Sequence, residues 1–255
     1  MNRDQVTDLQ RHGLEAFFRL IARAADGSRL HEFPGVVASS APACPTRSFP
    51  NSVVYETAEE LSGALDELAV EYRHEGIEAW TVWVPEGDDN ATRILADAGH
   101  RLDGKPTAMA IELADLPDPG GELDDLDWDA EATPQEVARL NDVAYGWGEG
   151  EFEAAFTRNP DPDLHLYRAR VDGDVACVAG TLDVDDDCLL VMVATDPERR
   201  GAGLARRLCH AALLDARDRG LLTSSLQASP LGRPVYDRLG YGSFGAIEMW
   251  ERRGL

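Results

Sequence analysis

Apolar residues in the second half of the chain recur at helical spacing and then give way to strand patterns. The helical positions are Leu208, Ala211, Ala212, Leu214 and Ala216. This helix ends at Arg219-Gly220, since a basic last turn followed by glycine is a typical helix stop. A strand over 221–228 follows, then a short helix running into Gly240-Tyr241, then a strand through 246–249. The alternation predicts an α/β fold.

The first half of the chain shows the same order of elements. A helical pattern leads to Glu75-Gly76 through Leu61, Leu65, Leu68, Ala69 and Tyr72. A strand over 79–84, a helix ending at 95–100 and the run Ala110-Ile111-Glu112 follow, and this last run matches Ala246-Ile247-Glu248. We interpret the agreement as an internal duplication. The alternative is a chance recurrence of an order that is common in α/β proteins.

An acidic segment separates the two halves. Asp115–Glu131 holds eight acidic residues, no basic residue and a cluster of prolines and glycines at 117–121. Such a composition resists packing and predicts a linker or an edge segment. We therefore expect domains at 1–115 and 132–255, with an acidic Pro/Gly linker at 116–131.

The charge of the chain restricts its partners. Its 255 residues include 24 Lys and Arg against 47 Asp and Glu, a formal net charge of −23. A surface this negative repels phosphate backbones and anionic lipids, so we expect neither a nucleic acid nor a membrane as partner.

Cysteines and histidines give no sign of a metal site. Cys44, Cys177, Cys188 and Cys209 form no CxxC pair, and a set of free thiols fits a reducing, cytoplasmic location. We find no ligand spacing among His12, His31, His74, His100 and His165. The opening residues lack the apolar core of a signal peptide, and the longest apolar run, 188–194, is far too short to span a membrane.

The run that carries chemistry lies at 189–208. A Val- and Leu-rich strand is broken at Thr195-Asp196-Pro197, and Arg200-Gly201-Ala202-Gly203 then opens the helix. Glycines let a backbone approach a phosphate, helix N–H groups and the helix dipole favour an anion, and arginines add charged hydrogen bonds. The run matches neither the Walker loop nor the dinucleotide-binding GxGxxG pattern.

A second motif follows 35 residues later. In it Tyr236 precedes Gly240-Tyr241 by four positions. The run Arg200-Gly201-Ala202-Gly203-Leu204-Ala205 after a strand, followed by this tyrosine, resembles the GNAT N-acetyltransferase superfamily over roughly 130–255. The resemblance implies two GNAT-like domains, each with a mixed, mostly antiparallel sheet flanked by helices.

The resemblance also implies roles for particular residues. Acetyl-CoA would be the acyl donor, with its pantetheine arm beside 192–195 and the Val193 N–H polarising the thioester carbonyl. Tyr236 would protonate the leaving thiolate as general acid. The implied cofactor-binding residues are Val193, Ala194, Thr195, Arg199, Arg200, Gly201, Ala202, Gly203, Leu204, Ala205 and Ser229.

Two parts of the implied site stay open. Asp187 is the residue that the resemblance places as general base, with Asp183 as a comparable candidate and a water chain as the alternative. The segment 145–153 falls where the family's substrate lid lies, and its aromatic and acidic residues would receive a cationic amine. An ordinary exposed loop is the alternative.

The first half carries neither motif. Leu95 stands where Tyr236 would fall, and no Arg-x-x-Gly-x-Gly/Ala run precedes Leu61. We therefore expect a degenerate GNAT repeat that packs against an active one. The predicted function is transfer of an acetyl group from acetyl-CoA to a primary amine, most simply of a small molecule, by a monomer or a homodimer. The rival is a scaffold of the same fold that senses CoA without turnover.

Overall fold

The computed structural model describes residues 1–148 and 150–254. The helices of these residues are α1 (Arg3–Ile21), α2 (Ala58–His74), α3 (Asp89–Asp97), α4 (Pro134–Tyr145), α5 (Glu151–Ala155), α6 (Leu204–Arg219) and α7 (Arg233–Asp237). The strands are β1 (Arg29–Phe33), β2 (Val36–Ser40), β3 (Ser52–Tyr55), β4 (Ala79–Pro85), β5 (Arg101–Gly104), β6 (Thr107–Glu112), β7 (Asp127–Asp129), β8 (Leu164–Val171), β9 (Asp174–Val184), β10 (Asp187–Thr195), β11 (Thr223–Ala228) and β12 (Gly242–Arg253).

The strands join into one mixed sheet that is mostly antiparallel. Its order is β1-β2-β3-β4-β12-β6-β11-β10-β9-β8-β7, and β5 pairs with β12 outside this path. Only the β3–β4 and β10–β11 pairs are parallel among the described strands. The predicted fold class, a mostly antiparallel sheet flanked by helices, is confirmed.

The two halves of the chain exchange strands at the centre of the sheet. Strand β6 of the first half lies between β11 and β12, while β12 of the second half pairs with β4 along Ile247–Arg253. The order β1-β2-β3-α2-β4-α3-β6 in the first half recurs as β8-β9-β10-α6-β11-α7-β12 in the second. Neither half therefore completes its part of the sheet without a strand of the other.

Short sequence motifs form the helix ends and the turn that they predict. Thr133 and Glu136 form a reciprocal capping box at the start of α4, which satisfies two backbone donors at once. Asp172 and Gly173 both have positive φ in the tight turn between β8 and β9, as a two-residue hairpin requires. Gly220 ends α6 in the left-handed conformation.

The acidic segment is packed against α6. Leu116 and Leu126 are buried in the same core as Leu208, and the His210 ring N–H donates to the Pro117 carbonyl at 2.8 Å. Residues 127–129 form β7, the strand at the end of the sheet. The part that forms β7 is thus an edge strand of the sheet. Leu116 and Leu126 hold the rest of the acidic segment against α6 despite the negative charge of the segment.

The sheet is covered by helices on both faces. On one face, α1 and α4 pack over β10 and β9, and their core includes Phe17, Phe18, Phe152 and Leu189. On the other face, α6 and α7 cover the same strands, while α2 and α3 cover the sheet of the first half. All four cysteines are buried free thiols. Among the described helices, none has the length and apolarity to cross a membrane.

Candidate functional site

Strands β10 and β11 separate part-way along their length. Their parallel pairing covers Asp187–Leu189 against Thr223–Ser225 and then stops. Beyond it, β10 remains paired with β9 and β11 remains paired with β6. The result is a V-shaped opening between the carboxyl-terminal parts of two adjacent strands.

A β-bulge lies on the β10 side of this opening. The register with β9 jumps from Val191↔Gly180 to Ala194↔Val178, so that Met192 and Val193 both face one residue of β9. Met192 has φ +51°, which is uncommon for a residue with a side chain. The Val193 N–H belongs to this bulge, and β10 has no strand partner on its other edge here.

The bulge is held from behind by a buried asparagine. The Nδ2 amide of Asn141, on α4, donates to the Met192 carbonyl at 3.1 Å and to the Val137 carbonyl at 2.8 Å. Asn141 is buried. A left-handed non-glycine residue costs about 1–2 kcal/mol, and a hydrogen bond inside the core offsets part of that cost.

The predicted anion loop lies between β10 and α6. Gly201 has φ +86° and Gly203 has φ +74°, and Gly203 is the N-cap of α6 with no side-chain capping bond. The first hydrogen bond of α6 runs from the Arg207 N–H to the Gly203 carbonyl. Leu204, Ala205 and Arg206 therefore precede the first residue whose N–H is bonded within the helix. Their N–H groups and an exposed glycine-rich backbone form an anion-binding end of a helix.

Arginines surround this loop, but not all of them point into it. Arg200 donates to the Ala144 carbonyl at 2.8 Å, and Arg199 lies 3.3 Å from an Asp172 carboxylate oxygen at the surface. Arg206 pairs with Glu122, and Arg207 pairs with Asp125. The acidic segment therefore neutralises the two arginines on the first turns of α6.

Tyr236 lies on α7 at the open end of the V. Burial raises the pKa of its phenol well above 10, and the neighbouring groups Cys209, Tyr145 and Cys177 add to this shift. Cys177 lies on β9 opposite Thr195, the last residue of β10, and its sulfur is 3.3 Å from the Thr195 hydroxyl oxygen. The Tyr236 hydroxyl has no hydrogen-bond partner within residues 1–148 and 150–254. It is therefore a protonated donor with no internal acceptor.

Ser229 supports the turn that leads into α7. Its hydroxyl oxygen accepts a hydrogen bond from the Gly232 N–H at 3.1 Å. A Cβ on Gly232 would lie 3.4 Å from a ring carbon of Tyr236, so the glycine permits this close approach. Ser229 thus lies beside Tyr236, and its hydroxyl hydrogen remains available to a ligand.

Comparison with known proteins agrees with this geometry. Residues 162–242 match the sequence model of the Acetyltransferase (GNAT) domain. This segment belongs to the GNAT superfamily. It contains β10, the anion loop, α6, β11 and α7, so the matched residues include the V-shaped opening and Tyr236.

Solved structures resemble the whole chain at low sequence identity. A GCN5-related N-acetyltransferase from Kribbella flavida has a TM-score of 0.66 at 20% identity over 95% of each chain. One from Sphaerobacter thermophilus has 0.59 at 16%, over 95% of this chain and 93% of that one. A tandem GNAT protein from the clavulanic acid biosynthesis pathway has 0.56 at 12%, over 99% and 97%. These identities establish the fold alone. No curated protein matches.

Within the GNAT domain, Asp187 lies away from Val193 and Tyr236. It begins β10, about 16 Å along the strand from Met192, at the end where β10 and β11 are still paired. Its carboxylate accepts hydrogen bonds from the Thr223 and Ser225 hydroxyls, both at 2.6 Å. Burial raises its pKa, and these two bonds offset only part of the shift.

Asp183, the comparable candidate, is engaged in a salt bridge. Burial alone would raise its pKa, but hydrogen bonds from His165 and Arg219 outweigh burial and lower it. The two Arg219 contacts measure 2.8 Å and 2.7 Å. Asp183 is therefore held as a carboxylate by an arginine of α6.

The predicted lid segment is anchored to the first half of the chain. Glu151 pairs with Arg47, and the Arg47 guanidinium also lies 5.9 Å from the Trp147 ring centre. Trp147 packs against Phe49 and Phe152. Glu149 lies outside the described residues. Glu151 is thus already paired with a cation, while Tyr145, at the end of α4, is half exposed.

Sequence reasoning missed Asn141. Its position on α4 falls on the face that packs against β10, beside Val137 and Leu140. Asparagine disfavours helix interiors, and an unpaired amide in a core is costly. A polar residue on an apolar helix face was therefore the available signal.

The corresponding helix start in the first half differs from the anion loop. Helix α2 is capped by the Thr57 side chain, and its first turn carries Glu59 and Glu60. The Thr57 side chain occupies one N–H group at the start of α2, and the two carboxylates repel any anion that approaches it. This helix start is therefore unsuited to bind a phosphate. Leu95, fully buried on α3, takes the place that Tyr236 has on α7.

Proposed function

We propose that this chain transfers the acetyl group of acetyl-CoA to a primary amine of a small molecule. One observation carries the proposal: the bulge of β10 that contains Val193 and the unbonded Tyr236 hydroxyl both lie at the open end of the V, beside the glycine-rich start of α6. An anion site, an oxyanion donor and a proton donor are the three groups that transfer from a phosphate-bearing thioester requires.

The loop from Arg199 to Ala205 would bind the CoA pyrophosphate. Its N–H groups supply several donors, and Arg199 and Arg200 have exposed guanidinium groups that can turn toward a phosphate. Charged hydrogen bonds of this kind are about twice as strong as neutral ones. The unpaired edge of β10 at Val193–Thr195 would accept the pantetheine amides as an added strand does.

Transfer would then proceed in one attack. The amine nitrogen bonds to the thioester carbon, and the displaced electron pair moves onto the carbonyl oxygen. This oxygen accepts a hydrogen bond from the Val193 N–H. Collapse reforms the carbonyl and breaks the C–S bond, and Tyr236 donates its proton to the leaving sulfur. The nitrogen loses its extra proton to water, and solvent returns a proton to the Tyr236 phenolate, so the products are an acetylated amine and CoA.

No thiol of the chain takes part in this scheme. Burial raises the pKa of Cys177 to about 12, so its sulfur stays a protonated, weak nucleophile. Cys188 is likewise buried with a raised pKa. Both observations support direct transfer rather than an acetyl-cysteine intermediate.

Deprotonation of the ammonium form of the acceptor is proposed to go through water. Asp187 has the raised pKa of a base, but it lies at the paired end of β10 and its carboxylate is bound by two hydroxyls. Its placement therefore supports the water chain over a direct Asp187 base. The net charge of −23 favours a cationic acceptor by long-range attraction.

Acetyl-CoA binding and thiol release together test this function. At about 100 times its Kd, a ligand adds roughly 2.7 kcal/mol to stability, or about 5–10 °C in Tm for a chain of this size. We expect such a shift, and release of free CoA thiol with at least one member of a panel of small amines. A shift without thiol release across the panel would favour the CoA-sensing scaffold, and no shift at millimolar acetyl-CoA would refute the site.

A further inference from the structure

Three potential metal ligands converge in the first half of the chain, far from the V-shaped opening. They are His31 on β1 and Glu71 and Glu75 at the end of α2, and their ligand atoms all lie within 4.8 Å of one another. The His31 Nε2 is 3.5 Å from the Glu75 Oε2. Two ligands on a tetrahedral zinc ion, each about 2.1 Å away, lie about 3.4 Å apart.

Glu75 is the unusual member of this cluster. Its side chain is only 6% exposed, and neither carboxylate oxygen has a hydrogen-bond partner among the described residues. Arg29 approaches the second oxygen at 3.5 Å, but its side chain is 67% exposed. A buried carboxylate is costly unless a cation or donors compensate it, and here the compensation is partial.

The position on the helix adds to the cost. Glu71 lies in the last turn of α2, and Glu75 is its C-cap residue. The carboxyl end of a helix carries partial negative charge and disfavours further negative charge. Two carboxylates at this end therefore repel both the helix dipole and each other, and a bound cation would remove both penalties.

We propose that His31, Glu71 and Glu75 bind one divalent transition-metal ion, with Zn²⁺ as the probe. One imidazole nitrogen and two carboxylates suit zinc and its first-row neighbours better than calcium or magnesium. The His31 Nε2 now lies 3.0 Å from the Ser40 hydroxyl, which the metal would displace from the ring nitrogen.

The fold gives such an ion a structural role. Strand β1 is the end of the sheet and pairs only with β2 among the described strands. A metal shared by β1 and α2 would fix this edge strand to the helix that covers it. The His31 ring already packs edge-on against Tyr72 of α2, with the ring centres 5.8 Å apart.

Calorimetric titration of the chelator-treated full chain with Zn²⁺ tests the proposal. We expect one ion per chain, and a rise in Tm of about 5 °C at 100 times the Kd. Glu75→Gln keeps the size of the side chain but removes its charge. Because loss of an outer-shell partner alone costs 10–100-fold in metal affinity, loss of this ligand is expected to cost at least about 100-fold.

Two further variants keep the test decisive. Glu71→Gln should show the same loss and replaces Glu75→Gln if that variant does not fold. Glu67→Gln, at an exposed position of the same helix, should bind Zn²⁺ like the wild type. Absence of saturable binding, or equal affinity in Glu71→Gln, Glu75→Gln and wild type, would overturn the proposal and leave only the 3.5 Å contact between His31 and Glu75. Neither outcome bears on acetyl transfer.

Discussion

The side-chain amide of Asn141 donates to the carbonyl oxygen of Met192 at 3.1 Å, from a helix on one face of the sheet to the bulge that faces the V-shaped opening. This bond joins a buried polar group to a strained peptide. The Met192 carbonyl and the Val193 N–H belong to the same trans peptide group, so this bond also fixes the direction of that N–H. Asn141 therefore acts as a positioning residue for the proposed oxyanion donor.

Asn141→Ala should lower kcat more than it changes acetyl-CoA affinity. Without the amide, the Met192 carbonyl loses its buried donor, at a cost of about 1–3 kcal/mol, and the bulge relaxes. We expect kcat to fall about 10-fold or more while the Kd for acetyl-CoA, measured by calorimetry, changes less than 3-fold. Gln135→Ala, at the exposed start of the same helix, is the control. Equal losses in kcat and affinity would contradict a positioning role.

Gly203→Asp should abolish acetyl-CoA binding. The substitution places a carboxylate at the N-cap of α6, where the pyrophosphate is proposed to lie, so two anions would compete for the same N–H groups. Gly203→Asn has the same shape and the same backbone strain at φ +74° but no charge. By calorimetry, we expect measurable binding of acetyl-CoA to Gly203→Asn and no binding to Gly203→Asp. Unaltered affinity in the Asp variant would place the anion elsewhere.

Neutralising the acidic segment should strengthen acetyl-CoA binding. Glu122 and Asp125 now pair with Arg206 and Arg207 beside the anion loop. The double variant Glu122→Gln, Asp125→Asn frees both guanidinium groups at the start of α6. Exposed ion pairs are worth about 0.2–1 kcal/mol each, so we expect a 2- to 5-fold lower Kd, and a steeper dependence of Kd on salt. Asp118→Asn is the control, and a weaker affinity in the double variant would contradict the prediction.

His100 should make the fold sensitive to acid. Burial lowers its pKa to about 4, with a further contribution from Arg252, against about 6.5 in the unfolded chain. Between these values the unfolded chain binds a proton that the folded chain excludes, so the free energy of unfolding falls as the pH falls from 6.5 to 4. The total is about 3 kcal/mol. Denaturant unfolding of His100→Phe should show a flatter pH dependence than His74→Gln, and identical profiles would refute the assignment.

Much of the fold followed from local patterns in the sequence. The helix over 204–219, its glycine stop, the Asp-Gly hairpin and the capping box at Thr133 depend on residues close in the chain, and the structure contains each of them. The exchange of β6 and β12 between the halves was not predicted. Strand pairing is decided by packing between distant segments, and neither strand carries a local mark of its partner.

In the candidate site, too, the features set by local sequence were predictable and those set by packing between distant segments were not. The anion loop and Tyr236 are local motifs, and the structure places both at the open end of the V. Asp187 was chosen from its place at the start of β10, but the hydroxyls of Thr223 and Ser225 that engage it lie on another strand. The convergence of His31 with Glu71 and Glu75 likewise depends on how β1 packs on α2, so ligand spacing along the chain gave no sign of it.

The most direct test of the proposed chemistry is the turnover of Tyr236→Phe with an amine that releases CoA thiol from the wild type. Tyr241→Phe is the matched control, because its ring lies 5.9 Å from that of Tyr236 while its hydroxyl is bonded to Ser224 at 2.7 Å. We predict that Tyr236→Phe lowers kcat by about 10²–10⁴-fold with an unchanged Kd for acetyl-CoA, and that Tyr241→Phe mainly lowers stability. Turnover of Tyr236→Phe equal to that of the wild type would contradict Tyr236 as the general acid.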